Sequence, residues 1–224
     1  MKSSSLYLMA IVIALLPVTT AAHAADGKDI AANGTSNGAP ACSSCHGEQG
    51  EGQPAAGFPR LAGLNATYIA HQLASFQDNS RKSDTMQPVA AALSNDERQA
   101  IAAYYAGLKA PKAAEDSAPD PALVKAGASL AAVGDWPKGL PGCGQCHGSS
   151  GLGVGASFPG IAGQSAAYIE TELNAWKSGE RKNDPMGLMA KVAKKLDDNQ
   201  IKAVAAYYAS LPVAPSITAS GNKP

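Results

Sequence analysis

The sequence predicts an all-α protein made of two similar helical halves, and three observations carry that prediction. Apolar residues recur at helical spacing in Ile69, Leu73 and Phe76, and again in Ile169, Leu173 and Trp176. Capping-box patterns, Ser94-x-x-Glu97 and Asp197-x-x-Gln200, precede apolar segments that end at Leu108 and Leu211. Strict polar/apolar alternation, the mark of half-buried strands, is absent.

Taken in order, residues 1–24 stand apart from this pattern. Lys2 is followed by an unbroken apolar run from Leu6 to Leu16, and Ala22-His23-Ala24 is a small-x-small cleavage signal. Together they describe a secretory signal peptide. The run is too short for a membrane span, which needs about 20 apolar residues. The expected mature chain is therefore exported, soluble and, in a Gram-negative host, periplasmic.

Beyond the signal the chain is duplicated. Phe58-Pro59-x-Leu61-Ala62-Gly63 returns as Phe158-Pro159-x-Ile161-Ala162-Gly163, and Arg81-Lys82-x-Asp84-x-Met86 as Arg181-Lys182-x-Asp184-x-Met186. Between residues 58 and 86, twelve of 29 positions are identical at an offset of 100, and Tyr104-Tyr105 matches Tyr207-Tyr208 at an offset of 103. A period this long, present only twice, means two homologous domains rather than a solenoid. Residues 111–121 alternate proline with charged and small residues and read as a linker. The expected domains are 25–110 and 122–224, each of three or four short helices joined by Gly-rich loops. Asp26 to Ala32 and Ala122 to Val133 read as the opening helices.

Composition narrows the function. The precursor has 18 basic and 18 acidic residues, so no basic field argues for nucleic acid. The chain is 45% apolar but only 5% aromatic, and many of its apolar positions are alanines. Its two cores need a filler other than Phe and Trp.

All four cysteines lie in two copies of one motif, Cys42-Ser43-Ser44-Cys45-His46 and Cys143-Gly144-Gln145-Cys146-His147. This spacing reads as c-type haem attachment. Two thiols three residues apart add to the two vinyl groups of one porphyrin, and the adjacent histidine binds iron. A thioredoxin-like pair would need a βαβ setting, a closed zinc site four ligands, and disulfides would not explain the histidine after each pair. Two covalently bound haem c groups are expected, with His46 and His147 as iron ligands.

The sixth ligand follows by elimination. Apart from Met1 and Met9 in the signal, the methionines are Met86, Met186 and Met189. Met86 is alone in the first domain, and the matched frame favours Met186 over its rival Met189 in the second. A thioether suits ferrous iron and raises its reduction potential. His71 falls opposite the apolar stripe of its helix and reads as a surface residue, with Thr171 as its counterpart.

This ordered set of motifs resembles the dihaem cytochrome c4 family over nearly the whole mature chain. The resemblance implies two class I cytochrome c folds, each wrapped around one haem. It implies that the carbonyls of Pro59 and Pro159 orient the histidines, and that Tyr68 and Tyr168 lie near haem propionates. Arg81 and Arg181 would either pair with propionates or form exposed charge pairs. Iron held by His and Met leaves no position for a small-molecule substrate, so the expected protein is an electron carrier and not an enzyme. The family resemblance implies electron flow from a cytochrome bc complex towards a terminal oxidase or reductase. The alternative is a dihaem subunit of a dehydrogenase such as flavocytochrome c sulfide dehydrogenase. Peripheral membrane association, through a partner or an uncleaved signal, is left open.

Overall fold

A computed structural model of the protein describes residues 25–111, 119–184 and 186–213. The signal reading of residues 1–24 and most of the 111–121 linker lie outside the described residues.

Each half has five helical segments in the same order. The first half has α1 (Gly27–Asn33), α2 (Ser43–His46), α3 (Ala66–Gln77), α4 (Met86–Ala91) and α5 (Asn95–Gly107). The second has α6 (Pro121–Val133), α7 (Gly144–His147), α8 (Ala166–Ser178), α9 (Leu188–Lys195) and α10 (Asp198–Ser210). The count exceeds three or four because the two cysteine motifs each form a single helical turn. Among the described residues β-structure is confined to isolated bridges.

The helix starts follow from local chemistry. Both predicted capping boxes form, Ser94 with Glu97 and Asp197 with Gln200, each side chain meeting the other's backbone N–H. Asn65 and Ser165 cap α3 and α8 at the same place in the repeat. Pro121 stands inside α6 at its first turn, behind the cap Asp120, where a missing N–H costs nothing. The second half therefore begins its helix one residue inside the expected linker.

The opening and closing helices cross, α1 on α5 and α6 on α10. Gly27 and Gly127 occupy the crossings. A β-carbon on Gly27 would lie 2.1 Å from the Ala100 carbonyl oxygen, and one on Gly127 would lie 2.0 Å from that of Ala203. The stripes of α3 and α8 point inward as expected: Ile69, Leu73 and Phe76 are buried, as are Ile169, Leu173 and Trp176. Alanines supply much of the remaining buried surface, including Ala62, Ala90, Ala102, Ala193 and Ala205.

The halves join along their repeated Arg-Lys segments. Arg81 and Arg181 form an antiparallel bridge. The Lys82 N–H donates to the Glu180 carbonyl at 3.0 Å, and the Lys182 N–H to that of Ser80 at 2.6 Å. This pseudo-twofold contact brings each domain's α3-type helix to the other.

Gly127→Ala tests the crossing. The added methyl must push two helices apart, at a cost of about 1–3 kcal/mol. The expected outcome is a Tm lower by at least about 4 °C. A rise in Tm, as helix propensity alone would give at about 1 kcal/mol, would contradict the close approach.

Candidate functional site

The two Cys-x-x-Cys-His turns are built alike. In each, the chain leaves the one-turn helix through glycines at positive φ and folds back towards the Phe-Pro segment. The Gly52 N–H donates to the His46 carbonyl at 2.8 Å, and the Gly153 N–H to that of His147 at 2.8 Å. The Gly50 carbonyl accepts from Leu61 and Ala62, and the Gly151 carbonyl from Ile161 and Ala162. Gly63 and Gly163 then tie the loops to the closing helices through the Tyr105 and Tyr208 carbonyls. Glycine is needed at position 52 because a side chain there would meet the backbone N of Arg60 at 2.6 Å, in addition to the strain of its φ of +85°.

This lacing delivers a proline carbonyl to each histidine. His46 Nδ1 lies 2.9 Å from the Pro59 oxygen and His147 Nδ1 lies 2.8 Å from the Pro159 oxygen. An imidazole that donates from Nδ1 keeps Nε2 as the ring atom available to a metal. Burial pushes both imidazoles below the ordinary histidine range, with the carbonyl bonds opposing in part, so both rings are neutral at pH 7. Phe58 and Phe158 stand 6.1 and 6.4 Å from the same rings.

The four cysteines are half-buried and form no disulfide with one another. Burial raises Cys42 and Cys143 above the usual thiol range, against hydrogen bonds from Tyr105 and Tyr208. Among the described residues no group of three or more His, Cys, Asp or Glu gathers as a metal cage. The motifs are thus not arranged as closed zinc sites.

In the first half Cys42, Cys45, His46 and Met86 line one cavity of about 440 Å³. Its apolar wall includes Leu64, Ile69, Leu73, Phe76 and Leu93. The site suits a large flat apolar group. Its charged wall suits anionic arms on that group: Arg60, Arg81 and Arg181 all line it and are 2%, 5% and 7% exposed. Among the described residues, Glu172 is the one carboxylate paired with them. Among the described residues Arg60 has no carboxylate partner and its Nε meets no acceptor, and burial lowers its pKa to about 10. Neutral imidazole, paired thiols, an apolar cavity and surplus buried cations together fit a haem with its propionates.

The methionines depart from expectation. Met86 opens α4 and packs against the first core. Met186 is 81% exposed, so the preference for it is not supported. Met189, in the first turn of α9, packs against the second core. The reason is a shift of register. Ala90 and Leu93 are buried in the first half where Ala193 and Leu196 are buried in the second, an offset of 103, which also pairs Met86 with Met189. Three residues enter the second loop after Asp184, and the offset of 100 no longer holds.

Tyr68 and Tyr168 both line the cavity, but each hydroxyl meets the opposite domain's arginine. Arg81 donates to Tyr168 Oη at 2.7 Å, and Arg181 to Tyr68 Oη at 3.3 Å. The reading of Arg81 and Arg181 as exposed charge pairs is overturned, since both are buried and share Glu172. His71 is exposed as expected, yet its Nε2 lies 2.9 Å from the Asn183 carbonyl across the interface. Glu172 and the bonding role of Gln72 were not read from the sequence. The substitution of Glu for Gln at this repeat position was the available signal.

The fold and its sites define a two-haem c-type cytochrome, an electron carrier. The family model for cytochrome c matches residues 24–109 and 124–212. The chain belongs to the cytochrome c family, in the tandem two-domain form of the cytochromes c4. It is 46% identical over 200 residues to the thiosulfate dehydrogenase electron acceptor of Stutzerimonas stutzeri strain A1501, covering 89% of this chain and 92% of that one. The structure of thiosulfate dehydrogenase TsdBA from Marichromatium purpuratum matches at a TM-score of 0.78 and 41% identity, over 84% of this chain but only 40% of that one. Reduced recombinant cytochrome c4 from Pseudomonas stutzeri matches at 0.70 and 34%, over 76% and 93%. Among the described residues no helix is long and apolar enough to cross a membrane.

Glu172 gives the interface an acid sensitivity. Burial alone would raise its carboxyl pKa, but Arg81 and Arg181 more than reverse this and hold it below the usual range. Such a group stabilises above its unfolded pKa of about 4.3 and loses that contribution as pH falls through its lower folded value. Thermal unfolding should therefore be insensitive to this group above about pH 5 and weaken below about pH 4. Glu172→Gln should lack that part of the acid dependence, and an identical profile in wild type and variant would contradict it.

Proposed function

We propose that this protein accepts electrons from a thiosulfate-oxidising dehydrogenase and passes them, one at a time, to a further redox protein such as a terminal oxidase or reductase. The observation that carries this reading is the 46% identity, over nine-tenths of both chains, with a protein named as that dehydrogenase's electron acceptor. The match to part of a thiosulfate dehydrogenase chain supports it from structure. A quinol-oxidising cytochrome bc complex as donor is the second reading, favoured by similarity to cytochrome c4.

In this reading Cys42 and Cys45 attach the first haem and Cys143 and Cys146 the second. His46 and Met86 bind the first iron, and His147 and Met189 the second, with Met189 taking the place expected of Met186. Pro59 and Pro159 hold the imidazoles, and Tyr68 and Tyr168 stand in the haem surroundings. A haem c bound through these residues supplies a one-electron Fe(III)/Fe(II) couple, its potential raised by the thioether. With a histidine and a methionine both holding its iron, a haem there would leave no position for thiosulfate, so the chain carries electrons and does not itself oxidise thiosulfate. Residues 1–24 direct export and are removed, and domains 25–110 and 122–224 act in the periplasm.

Stopped-flow mixing with a thiosulfate dehydrogenase and thiosulfate should reduce both haems, while thiosulfate alone reduces neither. Reduction by a bc complex but not by the dehydrogenase would replace the first reading with the second. Met189→Ala should abolish one of two thioether-to-iron absorption bands and lower one midpoint potential, whereas Met186→Ala should leave both. The opposite pattern would return the ligand to Met186.

A further inference from the structure

The halves meet in a ring of four side chains that is symmetric in shape but not in charge. Gln72 on α3 and Glu172 on α8 occupy equivalent repeat positions. Gln72 Oε1 accepts from Arg81 Nη1 at 3.1 Å and from Arg181 Nη2 at 2.8 Å. Glu172 accepts from Arg81 Nη2 at 2.5 Å and from Arg181 Nη1 at 2.7 Å. Each guanidinium also lies over an aromatic ring of its own half, Arg81 over Phe76 at 4.5 Å and Arg181 over Trp176 at 4.4 Å. Held from two directions, the arginines keep their places whichever acceptor faces them.

The pseudo-twofold makes Arg81 and Arg181 equivalent, so they do not distinguish the two haem sites. Glu172 breaks the symmetry of charge, because its counterpart Gln72 is neutral and both line the cavity that carries Cys42, Cys45, His46 and Met86. A fixed negative charge in a poorly hydrated wall stabilises ferric iron over ferrous, and more strongly at the nearer iron.

We propose that Glu172 is a potential-setting residue, whose negative charge, lacking at the equivalent Gln72, makes the midpoint potentials of the two haems unequal. The inference rests on the reading that each half holds one haem through its own cysteines and histidine. Only electrons are redistributed: one iron is oxidised as the other is reduced, with no atom transferred. Arg60, which has Gly160 opposite it, is a second charge difference, of the opposite sign. The order of the two potentials is the balance of both, and Glu172→Gln isolates one side of it.

Spectroelectrochemical titration of the holoprotein tests the proposal. Glu172→Gln should raise one midpoint clearly more than the other, shifting the electron distribution between the haems several-fold. Glu172→Asp, which keeps the charge, should restore the wild-type separation. The proposal is overturned if Glu172→Gln leaves both midpoints in place or moves them equally. It is also overturned if Glu172→Asp shifts them as the amide does. Wild-type protein carrying fewer than two haems per chain would contradict the two-haem reading instead, and mass spectrometry separates that failure from this one.

Discussion

Two hydrogen bonds, from His46 to the Pro59 carbonyl and from His147 to the Pro159 carbonyl, fix what the rest of each domain must do. A buried imidazole that donates from one nitrogen has its other nitrogen pointed in one direction. For the carbonyl to arrive there, the chain must turn back within about a dozen residues of the histidine. Glycines in left-handed conformation provide the turn, and bonds from residues 61–62 and 161–162 to the Gly50 and Gly151 carbonyls close it. The closing helices are then drawn in through Gly63 and Gly163, which bond to the Tyr105 and Tyr208 carbonyls. In the first half a helical shell containing much alanine is in this way wrapped around the cavity that carries Cys42, Cys45, His46 and Met86.

The same economy of bulk explains the interface. Where aromatic side chains are few, three buried guanidiniums form much of the wall between the halves, and a buried cation is tolerated only with partners. Arg81 and Arg181 find theirs in Glu172, Gln72 and the two tyrosines. Arg60 donates instead to the Ala162 carbonyl at 3.0 Å, while its backbone exchanges bonds with the Gln164 side chain. Each half thus completes its surroundings with groups from the other. The second domain is part of the first domain's site as well as its neighbour.

Much of this was legible in the sequence, for stated reasons. The stripes on α3 and α8 and the two capping boxes are local patterns, and local patterns survive folding. The duplicated Cys-x-x-Cys-His motifs named the chemistry because all four cysteines are used in them. What escaped the sequence was non-local. Met186 matched Met86 at an offset of 100, but the buried Ala90 and Ala193 follow an offset of 103, and burial decides which methionine points inward. Arg81 and Arg181 looked equally suited to the surface because their partner, Glu172, lies some 90 residues from one of them. His71 faces away from its own core, as its helical phase requires, and bonds across the interface to Asn183, which phase alone does not reveal.

Two haem domains joined by a buried cross-domain ring should act as one electron-transfer unit. The most direct measurement is to place a single electron on the fully oxidised holoprotein by a rapid photoreduction pulse and follow both haems by absorption. The account predicts a first-order redistribution between the haems whose rate is independent of protein concentration. Redistribution whose rate rises in proportion to protein concentration would mean that the electron passes only between molecules, and would contradict it.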